Sequence, residues 1–325
     1  MANFMVFNGD ADGICAAHQL RLAGFAPDMV VTGVKRDIAL LERVQAGLGD
    51  VVLVADISLD SNRAALLRLL AAGARVIWHD HHYAGEIPVH AGLTAHIDTA
   101  AETCSSLIVD QLLHGRFRPW AVAAAFGDNL HAAARAAALA AGLGEGDIAA
   151  LRELGELMNY NAYGESEADL HLRPADLYAR IAPYADPREF IAADPAALAG
   201  LRECFSSDLA RARALPPVLP CPGLRGAVCH VLPDAPWSRR VNGVYANELA
   251  RARPELAHAV LVEARKEGQP GYAVSLRAPV ARPQGADAVC RQFASGGGRG
   301  RAAGINWLPL ADLRRFGEIL AVAYP

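Results

Sequence analysis

The residues best suited to chemistry lie in short polar segments that interrupt an apolar N-terminal region. The first segment, Asn8-Gly9-Asp10-Ala11-Asp12-Gly13, places two carboxylates one residue apart in a glycine-flanked turn. Such carboxylates repel each other unless a cation lies nearby, so the segment predicts a cation site. The alternative is a turn that caps a helix, with Asp12 as the N-cap. An EF-hand calcium loop is disfavoured because no glutamate stands at the twelfth loop position.

Two further segments carry similar side chains. Asp56 follows the apolar run at residues 51–55, where it is either a ligand or the cap of the next helix. Asp80-His81-His82 offers a metal ligand, a second histidine and a carboxylate that can orient them. We expect the other histidines nearby to be surface or core residues. These are His79, His90 and His96.

These segments form a donor set of carboxylates and imidazoles without thiolates. Such a set suits Mn²⁺, and also Mg²⁺, Fe²⁺ or Co²⁺. Two close metal ions would account for the surplus of carboxylates. Two ions can clamp a phosphate and lower the pKa of a bridging water, so the sequence predicts a metal-dependent phosphoesterase.

The elements that must position these residues follow an alternating pattern. Short apolar runs predict strands, and helical spacing separates them, which favours an α/β fold with an open parallel sheet and helices on both faces. The predicted strands are residues 4–7, 29–33, 51–55, 75–78 and 94–98, and the predicted helices are residues 12–23, 38–48 and 60–72.

Ligand sites in such sheets lie beyond the carboxyl ends of the strands. Asp10 and Asp12 follow the first predicted strand, Asp56 the third, and His81 the fourth. We therefore expect all of them at one edge of one sheet. Residues 105–215 read mainly as helix, and Asp128 lies in the Gly127-Asp128-Asn129 interruption, at a junction between helices.

The length of 325 residues predicts two domains. Residues 215–223 (LPPVLPCPG) hold four prolines, which favours an interdomain linker there. We thus expect a metal-binding catalytic domain at residues 1–214, including the helical connector, and a smaller α/β C-terminal domain at residues 224–325. Its predicted strands are residues 225–232, 258–265, 271–277 and 305–308, and its predicted helices are residues 241–252, 285–293 and 310–322.

Composition narrows the class of substrate and the compartment. The formal net charge is -4 with a pI near 6.3, so a protein that wraps duplex DNA is excluded, and a short or small anionic substrate is favoured. The six cysteines are scattered, which is typical of reduced thiols. Without a signal-peptide pattern or a membrane-length apolar run, we expect a cytoplasmic protein with no membrane partner. A homodimer is one assembly that the sequence allows.

Taken together, the segments at residues 8–13, 56, 80–82 and 127–129 resemble the four motifs of the DHH phosphoesterase superfamily. The resemblance runs through the first domain in order. Its members include single-strand-specific exonucleases, nanoRNA and cyclic-dinucleotide hydrolases, exopolyphosphatases and family II pyrophosphatases. The resemblance implies the same fold and a site with two metal ions, most simply Mn²⁺.

Carried over residue by residue, the resemblance implies that Asp10 and Asp56 hold one ion, and that Asp56 bridges to the other. It implies that His82 contacts the substrate phosphate and that Asp80 orients the histidines. Many relatives have His or Asp where this chain has Asn8, a neutral ligand that would weaken the first ion's site. The implied ligands of the second ion are Asp12, Asp56, His81 and Asp128.

The C-terminal domain contains a glycine-rich stretch at residues 295–304 that resembles the GGGH…AAG signature of the DHH-associated domain. Glycines let backbone N–H groups approach an anion, so we expect a phosphate-binding loop, with a plain flexible loop as the alternative. Arg299 stands where relatives usually have His, and an arginine can bind phosphate in a bidentate way. The expected substrate-binding residues here are Gly296, Gly297, Gly298, Arg299 and Arg301.

The leading hypothesis is hydrolysis of a phosphodiester or phosphoanhydride bond in a short oligonucleotide, cyclic dinucleotide, nucleoside bisphosphate or polyphosphate. The competing hypothesis is a nucleotide or phosphate sensor of the same fold with weak or no activity, which Asn8 and Arg299 keep open. A dinucleotide-binding dehydrogenase is excluded because no GxGxxG follows the first strand.

Overall fold

A computed structural model describes residues 1–216 and 223–325 and divides the chain into two compact units, Met1–Glu203 and Cys204–Pro325. The predicted linker at residues 215–223 lies mostly outside the described residues. The division falls before it, because the end of the last connector helix pairs with the second unit. Within that unit, Asp208 accepts hydrogen bonds from Arg240, and Arg213 donates to Glu248.

The first unit is built on a parallel five-stranded sheet flanked by helices, which confirms the predicted fold class. The strand order is β2-β1-β3-β4-β5. The strands are β1 (Asn3–Phe7), β2 (Met29–Val31), β3 (Val51–Ala55), β4 (Arg75–Asp80) and β5 (Leu93–Ile97). The helices are α1 (Ala11–Leu22), α2 (Arg63–Ala71), α3 (Ser105–Leu112), α4 (Arg118–Gly127), α5 (His131–Ala140), α6 (Glu145–Asn161), α7 (Pro174–Ile181), α8 (Pro187–Ala193) and α9 (Pro195–Ala214), which ends in the second unit.

The three central strands, β1, β3 and β4, are mostly apolar and mostly buried, whereas the edge strands β2 and β5 are more exposed. Val52, Val54, Val76 and Trp78 are fully buried in the core of the first unit. The Trp78 indole also donates a hydrogen bond to the Ile57 carbonyl at 3.0 Å, so its polar atom is satisfied. Near-continuous apolar runs are typical of such doubly covered parallel strands.

The predicted helix at residues 38–48 is wrong: only a 3₁₀ turn, Leu40–Arg43, is present. Leu40, Leu41 and Val44 are buried in the core, which explains the helical spacing in the sequence. Other side chains bond the backbone groups that a helix would use. The Asn62 amide accepts from the Leu41 N–H at 3.2 Å, and Arg68 donates to the Val44 carbonyl at 2.9 Å.

The second unit is a mixed five-stranded sheet with the order β6-β7-β8-β10-β9. Strands β6 and β7 are parallel and the other pairs antiparallel. The strands are β6 (Ala227–Leu232), β7 (Ala257–Lys266), β8 (Gln269–Arg277), β9 (Gly296–Arg299) and β10 (Ala302–Pro309). The helices are α10 (Pro236–Ala252), α11 (Ala286–Cys290) and α12 (Leu313–Ala323).

The glycine-rich stretch forms a hairpin and not the expected loop. Gly296–Arg299 forms β9 at the edge of the sheet, paired with β10 so that Gly297 opposes Gly304. Arg301 lies in the two-residue turn between these strands. Glycine has low intrinsic strand propensity, and the sequence signal for a loop is overridden here because β10 supplies a partner backbone.

No helix in residues 1–216 or 223–325 is long and apolar enough to cross a membrane.

Candidate metal centre

Most of the predicted site residues of the first unit lie at or beyond the carboxyl ends of β1, β3 and β4. Strand β2 lies on one side of β1, and β3, β4 and β5 follow on the other side. The strand order therefore reverses between β1 and β3. Such a switch point leaves a crevice at the strand ends. Asp10, Asp12 and Asp56 follow these two strands directly, and Asp128 joins them from the end of α4.

The segment after β1 is organised by Asp10. Its carboxylate accepts from the Gly13 N–H at 3.0 Å and thereby caps α1. The N-cap is therefore Asp10, which corrects the alternative that Asp12 caps the helix. Asn8 holds the turn: its Oδ1 accepts from the Asp10 N–H at 3.2 Å, and its Nδ2 donates to the Lys35 carbonyl at 3.0 Å.

Asp12 is held by the N-terminus of α3. Its two carboxylate oxygens accept from the backbone N–H groups of Ser105 at 2.7 Å and Ser106 at 2.8 Å. These charge-assisted hydrogen bonds, with the positive end of the helix dipole, stabilise a buried anion. Asp12 is thus fixed in direction while each oxygen keeps a second lone pair for a further ligand.

Asp56 lies at the centre of the carboxylates with a left-handed backbone, φ 59°. Asp and Asn tolerate this conformation better than most residues. The Ser105 hydroxyl donates to its Oδ1 at 3.1 Å. Burial, and then the negative charges of Asp10 and Asp12, raise the pKa of Asp56 well above its ordinary value. The negative charges around Asp56 are therefore not fully balanced by positive charges of the protein.

His81 presents one bare nitrogen to three carboxylates. Its Nδ1 lies 3.1 Å from the Thr103 carbonyl, a contact that assigns the proton to Nδ1 and leaves Nε2 as an acceptor. Nε2 lies 3.5 Å from Asp56 Oδ1, 3.9 Å from Asp128 Oδ2 and 4.0 Å from Asp12 Oδ2.

This geometry fits a divalent ion. Octahedral ligands about 2.1 Å from a hard ion are about 3.0 Å apart when adjacent and about 4.2 Å apart when opposite. The three distances from His81 Nε2, 3.5, 3.9 and 4.0 Å, lie between these two values, so the side chains are close enough for a bound ion to draw them together. The donor set, three carboxylates and one imidazole, suits Mn²⁺, Mg²⁺, Fe²⁺ or Co²⁺. Among the described residues, Asp56, His81 and His82 form the group whose ligand atoms all lie within 4.8 Å of one another, so His82 is a candidate ligand as well.

His82 and Asp80 form a separate pair beside this cluster. Asp80 is fully buried, and its Oδ1 lies 2.7 Å from His82 Nδ1. Burial works against a charged imidazole, but the hydrogen bond and the charge of Asp80 raise the pKa of His82. The side chain of His82 is 46% exposed, so Nε2 is accessible to a substrate. Asp80 orients His82, whereas the Thr103 carbonyl orients His81.

Lys35 is the residue that the sequence reasoning missed. Its ammonium donates to Asp10 Oδ2 at 2.5 Å and to Asn159 Oδ1 at 3.0 Å, and lies 3.8 Å from Asp128 Oδ1. Burial works against ionisation of Asp10, but the charge of Lys35 outweighs it and lowers the pKa of Asp10 to about 2. Two signals were available: only two of the 31 basic residues are lysines, and Lys35 follows the second strand.

The predicted substrate-binding residues of the second unit lie on one hairpin. Gly296, Gly297, Gly298 and Arg299 form β9, and Arg301 lies in the turn that follows. The side chains of both arginines are exposed. Their role in phosphate binding stays a prediction.

The fold matches solved structures of known enzymes at low sequence identity. RecJ from Thermus thermophilus, solved with Mn²⁺, aligns with a TM-score of 0.59 and 18% identity, over 100% of this chain and 52% of its own. An exonuclease RecJ bound to manganese aligns at 0.51 and 18%, over 100% and 91%. PggH, a pGpG-specific phosphodiesterase from Vibrio cholerae, aligns at 0.54 and 13%, over 99% and 98%.

These likenesses confirm the fold that the DHH resemblance predicts. The chain spans about half the length of the Thermus RecJ. No protein-family model and no curated protein matches the sequence.

Proposed function

We propose that this chain is a metal-dependent phosphoesterase that hydrolyses a phosphodiester or phosphoanhydride bond in a small or short substrate. The observation that carries the proposal is the bare Nε2 of His81, which lies within 4.0 Å of carboxylate oxygens of Asp12, Asp56 and Asp128 at the switch point of the sheet. The fold shared with RecJ and PggH supports it.

The proposed ion is Mn²⁺, which accompanies RecJ in both solved structures, held by Asp12, Asp56, His81 and Asp128. Such an ion polarises a phosphoryl oxygen and lowers the pKa of bound water. The chain's part is to direct the ligands: the α3 N-terminus aligns Asp12, the Ser105 hydroxyl aligns Asp56, and the Thr103 carbonyl sets the tautomer of His81.

We assign His82 to the substrate. Asp80 accepts a hydrogen bond from Nδ1–H and its charge raises the pKa of His82, which favours the imidazolium form. The imidazolium carries a second proton on Nε2, which it can donate to the phosphate or to the leaving oxygen. In the second unit, Arg299, Arg301 and the three glycines of β9 are proposed to bind phosphate. On this proposal, Arg299→Ala raises KM and leaves metal content unchanged.

The substrate classes we propose are short single-stranded oligonucleotides, dinucleotides such as the pGpG that PggH cleaves, nucleoside bisphosphates and polyphosphate. The net charge of -4 disfavours long duplexes. We also propose a reducing, cytoplasmic location, because the described cysteines are free thiols: Cys15, Cys104, Cys204, Cys229 and Cys290.

A substrate panel tests the proposal. Chelator-treated protein is assayed with and without MnCl₂ against pGpG, a cyclic dinucleotide, a five-nucleotide DNA, adenosine 3′,5′-bisphosphate and polyphosphate. We expect Mn²⁺-dependent release of mononucleotide or phosphate from at least one of them. If none is cleaved but one of the nucleotides still raises Tm, the protein is a nucleotide sensor and the proposal fails.

A further inference from the structure

Lys35 contacts Asp10, a residue that the DHH resemblance assigns to the first metal ion. That resemblance gives Asp10 and Asp56 to one ion and shares Asp56 with the other. In the structure, the Asp10 carboxylate is already neutralised: Oδ2 accepts from Lys35 at 2.5 Å, and Oδ1 accepts from the Gly13 N–H at 3.0 Å. The Asn8 amide oxygen, the third implied ligand, accepts from the Asp10 N–H.

The contacts of Lys35 do not depend on Asp10 alone. Its N–H donates to the Ala162 carbonyl at 2.9 Å, and its own carbonyl accepts from Asn8 Nδ2 at 3.0 Å. The ammonium also donates to Asn159 Oδ1 at 3.0 Å and lies 5.4 Å from the centroid of the Tyr163 ring. The side chain is only 26% exposed. Backbone and side-chain contacts other than Asp10 therefore also hold Lys35 in this position.

Electrostatics oppose a metal ion at the same place. An ion about 2.1 Å from Asp10 Oδ2 would lie at most about 4.6 Å from the ammonium, so the two cations would repel strongly in a buried site. One divalent ion together with Lys35 offsets three of the four negative charges of Asp10, Asp12, Asp56 and Asp128. A second ion would reverse the sign of the cluster.

The choice of lysine also fits a substitute for a metal ion. The chain uses arginine at all but two of its basic positions. An ammonium is a compact point charge, whereas a guanidinium is a wide planar fork that suits bidentate pairing. At 2.5 Å from Asp10 and 3.8 Å from Asp128, the Lys35 ammonium lies between two carboxylates much as a small cation would.

We propose that the Lys35 ammonium replaces the first of the two implied ions, the one at Asp10, so that this chain binds one divalent ion, at Asp12, Asp56, His81 and Asp128, and keeps Asp10 for the lysine. The inference rests on the proposed function and narrows it to a mononuclear site assisted by a lysine. Lys35 acts here as a positioning and charge-balancing residue.

The test is the stoichiometry of Mn²⁺, measured with MnCl₂ on the full chain by elemental analysis after gel filtration and by electron paramagnetic resonance. We expect one ion per wild-type chain, with the six-line spectrum of an isolated Mn²⁺. Lys35→Ala vacates the position beside Asp10 and should bind two ions, with the broadened spectrum of a coupled pair. The control is Lys266→Ala, which alters the other lysine of the chain, an exposed residue at the end of β7, and should bind one.

Two ions per wild-type chain with a coupled spectrum would overturn the inference, and this result does not require the variant to fold. One ion in both the wild type and a folded Lys35→Ala variant would also overturn it, because the position beside Asp10 would then not be a cation site. Failure of the proposed function looks different. In that case no Mn²⁺ binds, or Mn²⁺ binds and no phosphoester is cleaved, whereas a wild type with two ions and activity rejects only the role of Lys35.

Discussion

Asp56→Asn should separate metal binding from folding. The left-handed backbone at Asp56, φ 59°, is one that asparagine also tolerates, whereas alanine would add strain. Asparagine keeps an oxygen for the Ser105 hydroxyl, which donates to Asp56 Oδ1 at 3.1 Å. The variant therefore changes little except the charge at the centre of the proposed metal site.

The stabilisation of the folded protein by Mn²⁺ can be calculated from the binding equilibrium. Mn²⁺ at 100 times its Kd stabilises the protein that binds it by about 2.7 kcal/mol. For a unit of this size, that corresponds to a rise in Tm of about 5–10 °C. We expect the rise in wild type and its loss in Asp56→Asn, measured by thermal unfolding of the full chain with EDTA and with MnCl₂. The control is Asp176→Asn, an exposed carboxylate paired with Arg173, which should keep the full rise.

Without a metal ion, the substitution Asp56→Asn should not reduce the stability of the protein. Burial and the charges of Asp10 and Asp12 raise the pKa of Asp56 above the ordinary 3.8, so the folded state binds its proton more tightly than the unfolded state. The stability of metal-free wild type therefore falls as pH rises from about 4 through the raised pKa. Asp56→Asn lacks this loss and should be at least as stable at pH 7 in EDTA.

Two results would refute the reasoning. If Mn²⁺ stabilises Asp56→Asn as much as wild type, Asp56 is not a ligand. If metal-free Asp56→Asn is less stable than wild type by more than about 1 kcal/mol, the Asp56 carboxylate stabilises the metal-free fold and is not a source of repulsion among the buried charges.

Three further outcomes are expected. A Cβ at Gly155 would lie 1.9 Å from the Ala123 carbonyl oxygen, so Gly155→Ala should force α6 away from α4. The variant should lose about 2–3 kcal/mol of unfolding free energy, measured in urea. The control is Gly146→Ala, in the first turn of α6 with open space around it, which should lose none. His18 is fully buried with its pKa lowered by burial from 6.5 to about 4, so folding resists its protonation and stability is lost as pH falls through that window. His18→Phe should abolish about 2 kcal/mol of the stability difference between pH 7 and pH 5, and an unchanged difference would contradict the assignment. His82→Gln should lower kcat by about 100-fold or more with Mn²⁺ affinity kept within about threefold, and a lost ion would show that His82 is a ligand instead.

The sequence alone was enough to predict the sheet and the edge at which the site lies. Apolar runs mark buried parallel strands, and the carboxyl ends of such strands share an edge, so Asp10, Asp56 and His81 could be placed together without coordinates. Asp128 could be placed only at a helix junction by pattern, and its position beside His81 was implied by resemblance.

Tertiary structure decided the contacts that direct these side chains. The backbone N–H groups of Ser105 and Ser106 reach Asp12 from more than 90 residues away in sequence. The Thr103 carbonyl sets the tautomer of His81 in the same way. Any residue type can supply a backbone group, so no sequence pattern identifies these partners.

The same reason explains the elements that were predicted wrongly. Residues 38–48 have helical spacing, but the side chains of Asn62 and Arg68 take the backbone hydrogen bonds there. Residues 296–299 have the composition of a loop, yet β10 pairs with them. The rarity of lysine marks Lys35 as unusual but does not identify its partner: it meets Asp10 only because β2 lies beside β1, which brings an ammonium to a carboxylate 25 residues earlier. Local sequence determined which residues could do chemistry, and the packing of distant segments decided which charges they meet.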